Sequence, residues 1–269
     1  MNIKFLLLGT SLSLIPNLLY AQCAVTDCQQ LGYTSLKSCA GGLKCPFGEY
    51  WACPAVKNAV LGSCNGYAKS CKIGDILNRD GTCTSDNVSG KTPIAVVVRL
   101  SGNCGWGLAL TVTGNTVTWG TNSDLGVIPT YEDEDEAKQD FDSCGNTKKL
   151  IERGDSSVYP AAWDAVNYAP STAPETKGKW CLPAAGIGGA ILDTYYYKIL
   201  PGLAKAGGDD LRNKPQHFFW TSTEAPSGIG GFHAWYLCFN CATSSMGGVD
   251  FLSPSSKNSN HYVRPVILF

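Results

Sequence analysis

The fold of this chain is decided by four aromatic stretches in its C-terminal half: Trp180-Cys-Leu-Pro183, Phe219-Trp-Thr-Ser-Thr-Glu224, His233-Ala-Trp235 and Tyr262-Val-Arg-Pro-Val-Ile-Leu-Phe269. Large aromatic rings bury much apolar area, so strands that carry them can hold together a domain with little regular structure. We therefore expect Trp180, Trp220 and Trp235 to lie in the core rather than to form a ligand platform. Arg264 is expected to be structural and to pair with a carboxylate such as Glu224.

The pattern around these stretches is strands, then helices, then strands. Residues 94–100 form an apolar, Val-rich run that predicts a buried strand. Residues 108–112 and 116–119 alternate around Gly114-Asn115, which is a two-residue hairpin signal. Helices are predicted at 147–153, 161–168 and 182–203, and later strands at 218–221, 232–239, 248–252 and 262–269. This order predicts an α+β fold with two or more helices and a mostly antiparallel sheet.

Two local features qualify the predicted helices. The acidic run 132–136 precedes 137–141 and is expected to favour the positive end of a helix there. A calcium site is the alternative, although such runs are more often solvated surfaces. Pro201 is expected to end or kink the helix predicted at 182–203.

The N-terminus has the features of an export signal. Lys4 precedes the apolar residues 5–8 and 12–19, and we expect cleavage after Ala21. A buried helix or an uncleaved anchor is the alternative, but Gly9 and Pro16 interrupt a run shorter than the ~20 residues that a membrane span needs. We expect a secreted, periplasmic or cell-surface protein with no membrane span after cleavage.

Thirteen cysteines divide the chain unequally. Eight lie in residues 22–88, namely Cys23, Cys28, Cys39, Cys45, Cys53, Cys64, Cys71 and Cys83. Thiols at this density in an exported protein favour disulfides. A region of this size has a small core and needs disulfide crosslinks to be stable. Zinc is disfavoured there because the spacings differ from zinc knuckles and no His precedes His217. The odd count leaves at least one cysteine without an intrachain partner, as a free thiol or a link to another chain.

Charge and motifs narrow the function classes. The 269 residues carry a formal net charge of −1, which gives no electrostatic drive toward nucleic acid or an anionic membrane. The chain has no Gly-x-Ser-x-Gly elbow, no P-loop and no His-Glu-x-x-His zinc helix, and its three histidines share no ligand spacing. We therefore predict no catalytic residue, no metal and no cofactor.

The Cys238-x-x-Cys241 pair follows a strand-like run. A redox pair needs a helix N-terminus to lower a thiol pKa. A structural disulfide, or pairing elsewhere, is therefore favoured over redox chemistry.

Five stretches combine these landmarks: Asp140-Phe-Asp-Ser-Cys-Gly-Asn-Thr-Lys-Lys-Leu-Ile151, Trp180-Cys-Leu-Pro-Ala-Ala-Gly186, Phe219-Trp-Thr-Ser-Thr-Glu224, Ala234-Trp-Tyr236 and Tyr262-Val-Arg-Pro-Val266. In combination they resemble a bacterial C-type-lectin-like domain over about residues 90–269. That group includes the variable proteins of diversity-generating retroelements and relatives of formylglycine-generating enzymes. We divide the chain into a signal peptide (1–21), a small disulfide-rich region (22–88) and a C-type-lectin-like domain (89–269).

The chain departs from two members of that group. Calcium-dependent lectins carry Glu-Pro-Asn or Gln-Pro-Asp loops and a Trp-Asn-Asp strand, none of which occurs here. Formylglycine-generating enzymes carry a late cysteine pair in an arginine-rich context. Cys238 and Cys241 are the matching candidates here, but that context is absent.

Residues 240–261 are rich in Asn, Ser and Gly, which suits an adaptable recognition surface as well as ordinary exposed turns. In retroelement variable proteins the diversified positions lie in this part of the fold. The resemblance therefore implies these candidate binding residues: Asn240, Ser244, Ser245, Asn258 and Asn260. Asp250, Phe251 and His261 lie nearby in the sequence and complete the candidate set.

The leading hypothesis is an exported, non-catalytic binding or adhesion protein that recognises a protein or glycan through these C-terminal loops. A structural component of a cell-surface or envelope assembly is the first alternative, favoured by a possible intermolecular disulfide. The second alternative is a formylglycine-generating-type oxidase that uses Cys238 and Cys241.

Overall fold

A computed structural model describes residues 61–64, 71–102, 104–122, 126, 128–214, 217–225, 232–243 and 246–269. These residues belong to one compact unit, Asn58–Phe269. The predicted export signal lies outside the described residues, as do Cys23, Cys28, Cys39, Cys45 and Cys53.

The strands of the described residues form two antiparallel sheets. The larger has the order β2-β1-β3-β4-β9-β5 and the smaller the order β6-β7-β8. The strands are β1 Ile76–Asn78, β2 Cys83–Thr84, β3 Pro93–Ser101, β4 Cys104–Ala109, β5 Trp180–Cys181, β6 Phe218–Ala225, β7 His233–Thr243, β8 Met246–Ser256 and β9 Val266–Leu268. The predicted α+β class with antiparallel pairing is confirmed, and β1 and β2 share a sheet with β3 although they precede residue 89.

Helices connect and cover these sheets. They are α1 Glu134–Ala137, α2 Ser143–Arg153, α3 Pro160–Asn167, α4 Ala185–Thr194 and α5 Leu200–Ala206. A π-helical turn, Tyr195–Ile199, joins α4 to α5, and 3₁₀ turns occur at Pro174–Thr176 and Leu211–Asn213. The predicted helices at 147–153 and 161–168 are confirmed as parts of α2 and α3.

The hairpin predicted around Gly114-Asn115 is wrong. β4 ends at Ala109, and Val117 instead forms an isolated antiparallel bridge with His261. The Val117 N–H donates to the His261 carbonyl at 2.9 Å, and the His261 N–H donates back at 3.0 Å. Long-range pairing with the C-terminal segment therefore outweighs the local turn signal.

Two helix predictions need correction. The helix begins within the acidic run, since Glu134, Asp135 and Glu136 form the first turn of α1. Asp133 caps this helix by accepting the Glu136 N–H at 2.9 Å. Pro201 does not end the long helix, since it lies in the first turn of α5. A proline ring clashes with the carbonyl four residues earlier in an α-helix, and the wider π turn before α5 accommodates this clash.

Helix α4 lies between the two sheets, where it contacts β3 on one side and β6, β7 and β8 on the other. Its small residues permit this close approach. A Cβ atom on Gly186 would lie 2.4 Å from the Asp140 carbonyl oxygen, and one on Gly188 would lie 2.6 Å from a Leu237 methyl. The glycines of α4 are therefore packing residues.

The carboxylate of Asp140 is buried and fully hydrogen-bonded. Its Oδ2 accepts from Asn146 Nδ2 at 2.8 Å and from Thr223 Oγ1 at 2.6 Å, and its Oδ1 accepts the Asp142 N–H at 3.0 Å. Asn146 lies on α2 and Thr223 on β6, so this carboxylate joins a helix to the smaller sheet.

The same network caps helix α4. Its N-cap residue, Ala184, has no side chain that could accept a hydrogen bond. Instead the Ala185 N–H donates to Thr223 Oγ1 at 2.8 Å, and the Gly186 N–H donates to the Asp140 carbonyl at 2.7 Å. Free N–H groups at a helix start need such partners when they are buried.

The predicted pair between Arg264 and Glu224 is wrong. Arg264 is buried, and its Nε and Nη2 donate to the carbonyls of Ala109 and Leu110, each at 2.6 Å. β4 ends at these carbonyls, so the guanidinium supplies hydrogen bonds that the sheet no longer provides. Burial lowers the pKa of Arg264 to about 10. Glu224 instead forms a fully buried ion pair with Lys257.

Four disulfides occur within the described residues, which confirms the prediction that the chain is stabilised by disulfides. They are Cys64–Cys104, Cys71–Cys83, Cys144–Cys181 and Cys238–Cys241. None of the helices in the described part of the chain is both long and apolar enough to cross a membrane.

Replacing Thr223 by Val tests the buried network. The valine keeps the shape but removes the donor to Asp140 and the acceptor for the Ala185 N–H, so we expect a loss of about 2–4 kcal/mol in the free energy of unfolding. Urea denaturation measures it, with the exposed Thr172→Val as control, which should change stability by less than about 0.5 kcal/mol. Equal stabilities for the two variants would contradict the role given to Thr223.

Candidate functional site

Two predicted binding residues meet at the outer end of the β7–β8 pair. The Asn240 N–H donates to Asp250 Oδ1 at 2.7 Å. Asn240 has φ of 53°, a left-handed conformation that Asn tolerates better than most residues. The carboxylate of Asp250 is therefore held by the backbone of the neighbouring strand. Ser244 and Ser245 lie outside the described residues.

Two other predicted residues lie on the opposite face of the smaller sheet. Phe251 follows Asp250 in β8, so its side chain points to the other face, where its ring packs at 6.3 Å from that of Tyr236. His261 is 6% exposed and packs against Trp220 at 4.2 Å and Tyr236 at 4.8 Å. We call Phe218, Trp220, Tyr236, Phe251 and His261 the aromatic face.

The last two predicted residues, Asn258 and Asn260, are exposed on the turn that follows β8. The Asn258 N–H donates to Ser256 Oγ at 3.4 Å, and the Asn260 carbonyl accepts from His261 Nδ1 at 2.8 Å. The six described residues of the predicted set therefore do not form one surface. Asn240 and Asp250 are in contact, whereas the other four lie on another face or a separate turn.

The three tryptophans predicted to be structural, Trp180, Trp220 and Trp235, are buried. The Trp180 indole donates to Thr176 Oγ1 at 2.9 Å, and the Trp220 indole donates to the Val117 carbonyl at 2.8 Å. These contacts place their polar edges as well as their rings inside the protein.

The structure adds exposed tyrosines that the sequence analysis did not identify. Tyr196 is 44% exposed and Tyr197 is 84% exposed, on the π-helical turn. The Tyr196 hydroxyl donates to Asp250 Oδ1 at 3.3 Å, and the Arg212 guanidinium lies 5.3 Å from the Tyr196 ring centre. We call Tyr196, Tyr197, Arg212, Asn240 and Asp250 the tyrosine patch.

A sequence signal for these tyrosines does exist. Residues 195–197 are three consecutive tyrosines. Successive side chains on a helix point about 100° apart, so three in a row cannot all face one core. Tyr195 is fully buried and its two neighbours are exposed.

The half-buried carboxylate of Asp210 orients the side chains of the patch. Asp210 accepts from the Tyr195 hydroxyl at 2.7 Å and from Arg212 through Nε at 3.1 Å and Nη2 at 2.6 Å. The Leu211 N–H donates to the Tyr195 oxygen at 2.8 Å. A two-pronged Arg–carboxylate contact fixes the plane of the guanidinium, so Arg212 is oriented before any partner arrives.

These contacts shift the pKa values in the patch. Burial favours the neutral acid at Asp210, but hydrogen bonds from Arg212 and Tyr195 outweigh it and lower the pKa of Asp210 to about 2. The bond to Asp210 raises the pKa of Arg212. Burial and the bond to Asp250 raise the pKa of Tyr196. At neutral pH the Tyr196 phenol is therefore neutral, beside the Arg212 cation and the Asp210 carboxylate.

The Cys238–Cys241 disulfide shapes the corner beside the patch. It closes over Phe239 and Asn240 at a point where the β7–β8 register shifts. The Phe239 ring packs 4.7 Å from the Tyr195 ring. The corner is therefore tied to the core through Phe239 and to the patch through Asn240.

The described residues contain no group of three or more His, Cys, Asp or Glu side chains that could hold a metal ion. The tyrosine patch offers aromatic surface, a fixed guanidinium and a carboxylate. The chain matches no protein-family model and has no significant match among curated proteins.

The aromatic face predicts a pH dependence of stability. His261 Nδ1 meets a carbonyl, so Nδ1 carries the proton and Nε2 accepts from Ser255 Oγ at 3.1 Å. Burial lowers the pKa of His261 from 6.5 to about 4. The unfolded chain binds a proton more readily, so this contribution is complete above pH 6.5 and disappears as the pH falls toward 4.

We expect a loss of about 3 kcal/mol from this group over that range. Unfolding of the native protein and of His261→Gln, measured from pH 7 to 4, checks it. The stability difference between them should shrink as the pH falls. Parallel curves would show that His261 does not titrate with a lowered pKa.

Proposed function

We propose that the protein is an exported, non-catalytic binding protein that recognises a partner through the tyrosine patch. The observation that carries this proposal is the exposure of Tyr196 beside a guanidinium that Asp210 already orients, with the more exposed Tyr197 next to it in the chain. Tyrosine and arginine are the side chains that most often dominate binding energy at protein interfaces. Side chains that are ordered before binding lose less entropy on association.

A protein partner fits the patch better than a glycan. The patch protrudes from a helical turn and carries charges of both signs, Arg212 and Asp250. Complementary charges around aromatic anchors favour a specific protein surface. The binding experiment described below includes glycans, so it would also detect a glycan partner.

Export and the C-type-lectin-like fold are parts of the same proposal. The four disulfides support an oxidising compartment, where such bonds persist. The antiparallel α+β architecture, with the sequence landmarks meeting around Asp140, supports the fold. Secretion, the periplasm and the cell surface are all consistent with this proposal.

Substitution of the most exposed tyrosine tests the function. The oxidised protein is applied to protein and glycan arrays, and the affinity for each positive partner is measured. For a protein partner we expect Tyr197→Ala to weaken binding at least about tenfold, because the ring is an exposed anchor. Arg212→Lys should also weaken binding, since lysine cannot make the two-pronged contact to Asp210.

Phe232→Ala is the matched control. Phe232 is also an exposed aromatic residue, 41% exposed, but it precedes β7 and lies about 25 Å along the strand from Asn240. Binding should persist in this variant. Unchanged affinity of both Tyr197→Ala and Arg212→Lys for a protein partner would refute recognition by the patch. Glycan binding that both substitutions weaken would change the partner class.

The cysteine count favours a second candidate, a structural component of a surface assembly. The chain has 13 cysteines, and eight of them pair among the described residues. At least one of the others has no intrachain partner. Native material on a non-reducing gel should then show covalent multimers that collapse to a monomer on reduction, whereas a monomer band alone would exclude a disulfide-linked assembly.

A further inference from the structure

A groove lies where the chain after β4 meets the end of α3. It consists of two adjoining pockets with volumes of about 340 and 400 Å³, which share Thr111, Tyr168 and Pro170. Both volumes fall within the range of small-molecule sites. We call this continuous feature the threonine groove, after its polar residues Thr92, Thr111, Thr113, Asp164, Asn167 and Tyr168.

The lining of the threonine groove is polar but almost uncharged. Its hydrogen-bonding groups are hydroxyls and side-chain amides, and it also has apolar surface from Pro93, Leu110 and Pro170. Neither pocket is lined by a Lys, Arg or His among the described residues. The groove therefore offers many neutral donors and acceptors next to small apolar patches, and no cation for an anionic ligand.

Asp164 is the single ionisable carboxylate of the groove. Thr113 Oγ1 donates to its Oδ2 at 3.3 Å, and none of the ion pairs in the described part of the chain involves it. Burial raises the pKa of Asp164, and the hydrogen bond from Thr113, which lowers this pKa, only partly offsets the effect. A half-buried carboxylate with one long hydrogen bond retains lone pairs that a hydroxyl donor can fill.

The hydroxyl pair at the centre of the groove is held in place. Thr111 Oγ1 and the Tyr168 hydroxyl lie 2.9 Å apart, so one of them donates to the other and the second hydrogen stays available to a ligand. The Tyr168 ring packs edge-on against the buried Trp180 ring at 5.0 Å. The polar groups of the groove are thus positioned on a rigid base.

We propose that the threonine groove binds a neutral oligosaccharide. Sugar rings carry hydroxyls around their edges and apolar C–H surface on their faces, which matches a lining of hydroxyls, amides and proline rings. The continuous groove suits a ligand of more than one ring, with Asp164 accepting from ligand hydroxyls. This site is separate from the tyrosine patch and does not depend on the function proposed for it.

A panel of neutral hexasaccharides built from glucose, galactose, mannose and N-acetylglucosamine tests the assignment with the oxidised protein. Calorimetry gives the affinities, and amide chemical shifts locate the site. We expect at least one sugar to bind with a millimolar or lower Kd and to shift the amides of Thr111 and Asn167. Asp164→Asn should weaken binding at least about tenfold, and Thr113→Val by a smaller factor.

Two variants serve as controls. Asp193→Asn removes an exposed carboxylate outside the groove and should leave sugar binding unchanged. Tyr197→Ala should also leave it unchanged, which separates this test from that of the tyrosine patch. The proposal is overturned if no sugar binds at ~10 mM, if Asp164→Asn binds as well as the native protein, or if spermidine binds more tightly than every sugar.

Discussion

The buried carboxylate of Asp140 is the constraint on which the rest of this structure depends. The side chain of Asp140 accepts hydrogen bonds from α2 and from β6. The backbone carbonyl of the same residue accepts the Gly186 N–H at the start of α4. A buried polar group is costly unless it is hydrogen-bonded. The three elements must therefore meet in one geometry, and α4 is fixed between the two sheets as a result.

The tyrosine patch depends on that position of α4. Because α4 begins at a fixed point, the π turn that follows it places Tyr195 in the core and exposes Tyr196 and Tyr197. Tyr195 then holds Asp210, and Asp210 orients Arg212. Extra-residue turns of this kind occur frequently at functional sites, since they redirect side chains that a regular helix would place elsewhere.

The class of fold could be predicted from the sequence because its signals are local. The Val-rich run at 94–100 became β3, and the helical spacing in 147–153 became part of α2. Failures occurred where a distant residue decided the outcome. Gly114-Asn115 is a good hairpin signal, but the backbone of Val117 pairs with His261, which lies 144 positions after Val117 in the chain. No local pattern encodes such a contact.

The site was only partly predictable for the same reason. Composition singled out 240–261, yet strand alternation sends Asp250 and Phe251 to opposite faces, and His261 is buried among aromatic rings. Arg264 was assigned a carboxylate partner because charges attract, but its guanidinium bonds the carbonyls of Ala109 and Leu110 at the end of β4, and Lys257 pairs with Glu224. The charge of a side chain is thus a poor guide to its partner when unpaired backbone carbonyls lie within its reach. We propose the tyrosine patch rather than the loops as the place of recognition, because Asp210 holds Arg212 and Asp250 accepts from Tyr196, so these two side chains lose less freedom when a partner binds.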